Sequence, residues 1–108
     1  MAFGTWQTEA VTGATSSEFD LGQDFRRVLV LVPTITSGTV TVHVTNAAGG
    51  TYFPLYALDD DATGDFASAT TAATQTKAVV FDVGGAQYVK VVFGAAQVAE
   101  TIWIRGCD

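Results

Sequence analysis

Three groups of side chains in this sequence have the types to do chemistry: a lone histidine, a run of aspartates and a set of aromatic rings. His43, the only histidine, would act as a general base if a nucleophile or an orienting carboxylate lay within hydrogen-bond reach. Its neighbours in sequence are valines and threonines, so a solvent-facing or interface side chain is expected. Asp59, Asp60, Asp61 and Asp65 are the one concentration of hard oxygen ligands. Calcium takes its oxygens from loops, and acids at the alternate positions Asp59, Asp61 and Asp65 can converge on one ion. The segment lacks the closing glutamate of an EF-hand loop, so a solvated acidic turn is expected, with no metal and no cofactor. Cys107 is the one cysteine; it has no second thiol to pair with and reads as an inert terminal thiol.

Trp6, Tyr52, Tyr56, Tyr88 and Trp103 could form a stacking platform for a sugar. Packing in a core or an interface is the expected use, because aromatics dominate the buried area of small β domains. No glycine loop cradles a phosphate, and the serines have no base beside them. A non-enzyme is predicted.

The elements that must position these residues are strands. From Gly38 to Thr45 the chain alternates cleanly, with Val40, Val42 and Val44 on one side and Thr39, Thr41, His43 and Thr45 on the other, the signature of a strand with one face on a core. Residues 2–11 read as a first strand, or as an N-terminal arm over 1–12 that reaches a neighbour. A loop is expected over 12–17, a short strand over 18–21, and a turn at Gly22-Gln23-Asp24. Phe25 to Val32 contains the continuous run Val28-Leu29-Val30-Leu31-Val32, ended by Pro33. Asn46 to Gly50 has the small residues of a hairpin loop. The strand Thr51 to Leu58 carries Pro54 and belongs at a sheet edge or a bulge. Lys77 to Val83, Tyr88 to Phe93 and Thr101 to Arg105 read as three further strands, the first two joined by a tight Gly84-Gly85 hairpin. Residues 59–76 read as an irregular connection, long enough to suggest a functional loop or one held by a neighbour through Phe66.

About eight short strands with no helix predict an all-β chain: one domain over 1–108, an antiparallel two-sheet β-sandwich of jelly-roll or immunoglobulin-like connectivity. At 108 residues roughly two thirds of the unfolded surface is buried on folding, enough for one core. Charged residues make up only 15%, below the roughly 25% of an ordinary soluble domain, which predicts that part of the surface is hidden in an assembly. The net charge of −6, with basic residues scattered at Arg26, Arg27, Lys77, Lys90 and Arg105, offers no footprint for nucleic acid. No apolar run approaches the roughly 20 residues of a membrane span, and no signal peptide opens the chain, so synthesis and folding in the cytoplasm are expected.

Placing each strand's best apolar run inward puts Val30, Val42, Val79, Phe81, Val91, Ile102 and Ile104 in the core. Leu29, Leu31, Val80, Val92, Tyr88 and Trp103 then face out. That is too much apolar surface to leave wet. The expected subunit contacts are Leu29, Leu31, Val80, Val92 and Trp103, with Phe66 from the long connection.

Phe19-Asp20-Leu21-Gly22, the Gly38 to Thr45 strand, the turn Ala48-Gly49-Gly50-Thr51-Tyr52-Phe53-Pro54-Leu55, and the closing Tyr88-Val89-Lys90-Val91 and Ile102-Trp103-Ile104-Arg105-Gly106 resemble the small β-sandwich structural proteins of tailed bacteriophages. The chain departs from them in having Ala48-Gly49 where an Asp-Gly turn is often found. The resemblance implies a virion protein, a capsid decoration or cement protein or a minor head or tail component. Its expected partners are major capsid or tail proteins and copies of itself in a homo-oligomer, and it carries no catalytic residues with it. The runner-up is a carbohydrate-binding module, and the two separate on whether the rings line a groove or an interface.

Overall fold

Long alternating runs make long strands here, and bulges rather than turns bend them. The computed structural model describes residues 3–33, 39–58, 66–68, 70–72 and 76–108, with 56–58, 66–68 and 70–72 described by their backbone. Its strands are β1 (Gln7–Thr15), β2 (Phe19–Val32), β3 (Thr39–Thr45), β4 (Phe53–Pro54), β5 (Tyr56–Leu58), β6 (Phe66–Ser68), β7 (Thr70–Ala72) and β8 (Lys77–Cys107). Every pairing is antiparallel, and no helix occurs among the described residues. The chain is all-β.

The three longest strands form one ribbon. β1 and then β2 run along β8 in the opposite sense: Gln7 faces Ile104, Val11 faces Glu100, Thr15 faces Val92, Phe19 faces Val89, Phe25 faces Ala86 and Val32 faces Lys77. The ribbon then winds back on itself, because the end of β8 takes the second edge of β2. Val30 thus lies between Val79 and Ile104, and Leu31 between Ala78 and Trp103. β3 adds to residues 88–93, from Val40 opposite Phe93 to Thr45 opposite Tyr88, and β4 and β7 take its other edge. β5 and β6 form a separate two-stranded ribbon.

Winding brings the inward side chains of distant segments into one core. Val28, Val30 and Val32 of β2, Val40 and Val42 of β3, and Phe81, Val89, Val91, Ile102 and Ile104 of β8 are all buried in a single cluster, with Val79 packed half-buried against it. Phe25 covers the place where both chain ends pass. A Cβ at Gly106 would lie 2.1 Å from Phe25 Cδ2, and one at Gly4 3.3 Å from Phe25 Cε2, so the ring needs glycine at 106.

Several expectations are corrected by this path. Gly84-Gly85 is not a hairpin. Residues 77–82 and 86–89 both run antiparallel to β2, so the strand continues through the pair as a bulge, with φ of 67° and 92°. The same left-handed glycine geometry serves a hairpin and a bulge; the partner strand decides which. Gly22-Gln23-Asp24 likewise does not reverse the chain but bulges within β2, with Gly22 at φ 89°. Both bends carry the same local device: Gly22 N donates to Asp20 Oδ1 (2.8 Å) and Gly84 N to Asp82 Oδ1 (3.0 Å), an aspartate turning the backbone two residues on.

The loop expected over 12–17 is strand as far as Thr15. The described part of the N-terminal segment, from Phe3, pairs with its own chain rather than reaching away. Among the described residues β1, β2, β3, β4, β7 and β8 share one continuous hydrogen-bonded sheet, and several of these strands are longer than the short ones expected. The connection over 59–76 is not wholly irregular, since β6 and β7 lie in it and β7 is held by β3 of its own chain, with Val40 opposite Thr71. Pro54 sits at an edge, where among the described residues β4 is paired by β3 alone.

Candidate contact face

β2 is the strand whose residues are apolar on both faces, and its outward face is the centre of the site. Val28, Val30 and Val32 are taken by the core, leaving Leu29 and Leu31 half-buried on the outside. The register sets their neighbours. One rung runs Val80, Leu29, Arg105 and the next runs Ala78, Leu31, Trp103, Thr8. Side chains directly opposite lie close enough to touch, so Leu29, Leu31, Val80 and Trp103 form one apolar patch. Val80 is 56% and Trp103 45% exposed. Leu31, Pro33, Lys77, Ala78, Thr101 and Trp103 line an open groove beside it. On the following rung Arg27 lies between Asp82 and Cys107, which ends the patch with charge.

A clasp at the N-terminal segment borders the patch. The Arg105 guanidinium lies 4.8 Å from the ring centres of both Phe3 and Trp6. Its Nε and Nη2 donate to Gly4 O at 3.1 and 2.9 Å, while Gly4 N donates to Gly106 O at 2.8 Å. A planar guanidinium stacks and donates at once, which lysine cannot do.

Four of the six expected contact residues, Leu29, Leu31, Val80 and Trp103, are brought together. Val92 is not with them: it lies on another set of rungs, between Thr41 and Thr15. Phe66 is on β6, and its side chain lies outside the described residues, as do Asp59, Asp60, Asp61 and Asp65. The four rings among the described residues do not form a row. Trp6 is under Arg105, Trp103 is on the patch, Tyr52 and Tyr88 belong with residues 88–93, and the Tyr56 side chain lies outside the described residues.

His43 faces Lys90 on one side and Pro54 on the other, and burial pushes its pKa below the ordinary value. Near it is a cluster that sequence reasoning missed. Tyr52 donates its hydroxyl to Glu18, Gly49 N donates to the same carboxylate at 3.0 Å, and Lys90 Nζ lies 4.6 Å from the centre of the Tyr52 ring. The Tyr52 and Gly49 hydrogen bonds hold Glu18 below the usual carboxylate range, and burial followed by the Glu18 bond raises Tyr52. Asp20 is held low by Gln87 and then Gly22. Glu18 and Tyr52 are 34 residues apart and no local pattern connects them. The Asp-x-Gly spacing at 20–22 and 82–84 was readable and marks the bends.

No protein-family model matches this chain, and no curated protein matches it in sequence. Among solved structures it is similar to the SPBc2 prophage-derived protein YomS, with 18% identity over 98% of this chain and 95% of that one and a TM-score of 0.62. Weaker likenesses are to a Bacillus endospore appendage pilus (17% identity, 98% and 83% covered, TM-score 0.36) and to the Tobacco streak virus coat protein (12% identity, 96% and 85% covered, TM-score 0.36). The chain thus shares the fold of YomS. The other two follow too little of the same path to bear on it.

Proposed function

We propose that this chain is a non-enzymatic structural part of a virus particle, a capsid decoration or cement protein or a minor head or tail component. It packs against other particle proteins and copies of itself through the outward face of β2. The observation that carries this reading is the pair of rungs Val80–Leu29 and Ala78–Leu31–Trp103, where a strand already buried on one side is apolar on the other. A one-sided antiparallel sheet does not need that face to be apolar. The fold shared with a prophage-derived protein supports a viral setting.

We further infer that the wound ribbon is a jelly roll. Its layers are 7–11, 101–107, 27–32 and 77–82 on one side and 15–20, 88–93 and 39–45 with β4 and β7 on the other, an architecture common to capsid and lectin domains. Val92, apart from the patch, belongs to a second contact, and Phe66 to a third. The low charge and acidic balance speak against nucleic acid as a partner, and the reading places the protein in the virion after synthesis in the host cytoplasm.

Two measurements test it together. Mass spectrometry of purified particles produced by the genome that encodes this chain should find it at fixed stoichiometry to the major capsid protein. Sedimentation of the isolated protein should show concentration-dependent association. Absence from the particles overturns the virion role, and a monomer at all concentrations overturns self-contact.

A further inference from the structure

Away from the contact face, three segments distant in sequence meet at one corner. The bulge of β2 supplies Asp24, the end of β3 supplies Thr45 and Asn46, and the chain just beyond the Gly84-Gly85 bulge supplies Gln87 and Tyr88. Together they line a cavity of about 270 Å³. Its walls are chemically selective. Among the described residues Asp24 is its single carboxylate, too few oxygens of that kind for a hard cation. No lysine, arginine or histidine among the described residues lines it, so an anion would find no cationic side chain there. A wholly apolar ligand would cover the exposed Asn46 amide without giving it a partner.

A further feature points to a neutral polyhydroxyl molecule. Adjoining the polar cavity, and sharing Thr45, Asn46, Gly85 and Ala86 with it, is an open apolar depression walled by Val44, Phe53 and Val83. The groups are held in place: Gln87 Nε2 donates to Asp20 Oδ1 at 2.9 Å, and Tyr88 lies between Asp20 and Thr45 in the ladders. A ring with hydroxyls on its rim and an apolar face of C–H groups matches this combination of amides, one carboxylate, an aromatic ring and an apolar wall.

We propose that this corner binds one neutral sugar ring, free or at the end of a glycan. Tyr88 would meet its apolar face, and Asp24, Asn46 and Gln87 its hydroxyls. The site is independent of the contact face.

Saturation-transfer NMR on the intact protein with glucose, galactose, N-acetylglucosamine and rhamnose, followed by titration, tests this. At least one sugar should bind with a millimolar Kd. Asn46→Ala and Asp24→Ala, at exposed positions that do not threaten the fold, should each weaken it roughly tenfold. Tyr88→Phe should bind as wild type and Tyr88→Ala should not bind, while Trp103→Asp on the contact face should leave binding unchanged. A methyl glycoside that binds as well as its free sugar assigns the site to a glycan end, and one that does not assigns it to the free sugar; either result keeps the sugar. The proposal is overturned if none of the four sugars binds, if binding survives in both the Asn46 and Asp24 variants, or if Trp103→Asp removes it.

Discussion

Leu31 stands directly opposite Trp103 across the ladder that joins β2 to the end of β8, with Ala78 opposite it on the other side. The two large side chains are thereby fixed as one patch by backbone hydrogen bonding, and a partner meets both or neither.

Leu31→Asp should therefore abolish association, because burying a Leu or Val side chain contributes about 1.5 to 3 kcal/mol per side chain before the cost of association. Val80→Asp, at a side chain already 56% exposed, should weaken association while changing monomer stability by about 0.5 kcal/mol or less. Sedimentation reads the first effect and urea unfolding the second. Association of both variants at wild-type strength would place the contact elsewhere.

Gly106→Ala should be among the most damaging small substitutions in the chain. The added Cβ falls 2.1 Å from a ring carbon of Phe25, which is itself only 2% exposed. Overpacking of this kind costs about 1 to 3 kcal/mol. In the Phe25→Leu background the same substitution should cost less, a coupling that a double-mutant cycle by urea unfolding measures. Additive effects would mean that the two do not touch.

At the bulge, Gly84 has φ 67° and open space around the missing Cβ. Any penalty there is conformational, not steric. Gly84→Ala should cost about 1 to 2 kcal/mol and Gly84→Asn clearly less, since asparagine tolerates the left-handed region. Equal losses in chemical denaturation would show that the bend needs something other than positive φ.

Acid should destabilise the fold in two steps. His43, Glu18 and Asp20 all have folded pKa values depressed below their ordinary 6.5, 4.5 and 3.8. Each thus contributes stability that is present above its unfolded value and lost as pH falls through the folded one. The His43 window opens first, just below 6.5, and the carboxylates follow in stronger acid. Tyr52 has the opposite sign: its pKa is raised above 10.0, so stability should fall again as pH rises past that value. Thermal midpoints of wild type should decline between about pH 6.5 and pH 5, whereas His43→Gln should be flat there. A parallel decline in both would assign the loss to other groups.

The sequence by itself determined which residues go inside. Alternation in Gly38 to Thr45 and the continuous run Val28 to Val32 specify strand faces through the two-residue period of the backbone, and Val30, Val42, Phe81, Val91, Ile102 and Ile104 are buried as that period requires. It also marked Leu29, Leu31, Val80 and Trp103 as apolar and outward, because a face is a local property of a strand. Only the tertiary structure decided which of them meet. Val92 has the same local pattern as Val80, but its rung lies between Thr41 and Thr15, so it stands apart. Gly84-Gly85 permits a hairpin or a bulge with the same dihedral angles, and the chain goes straight on because β2 is there to pair with both sides of the bend. The corner of Asp24, Asn46, Gln87 and Tyr88 left no trace in sequence for the same reason. Its members are joined by strand register over tens of residues, and register is set by the whole buried pattern at once.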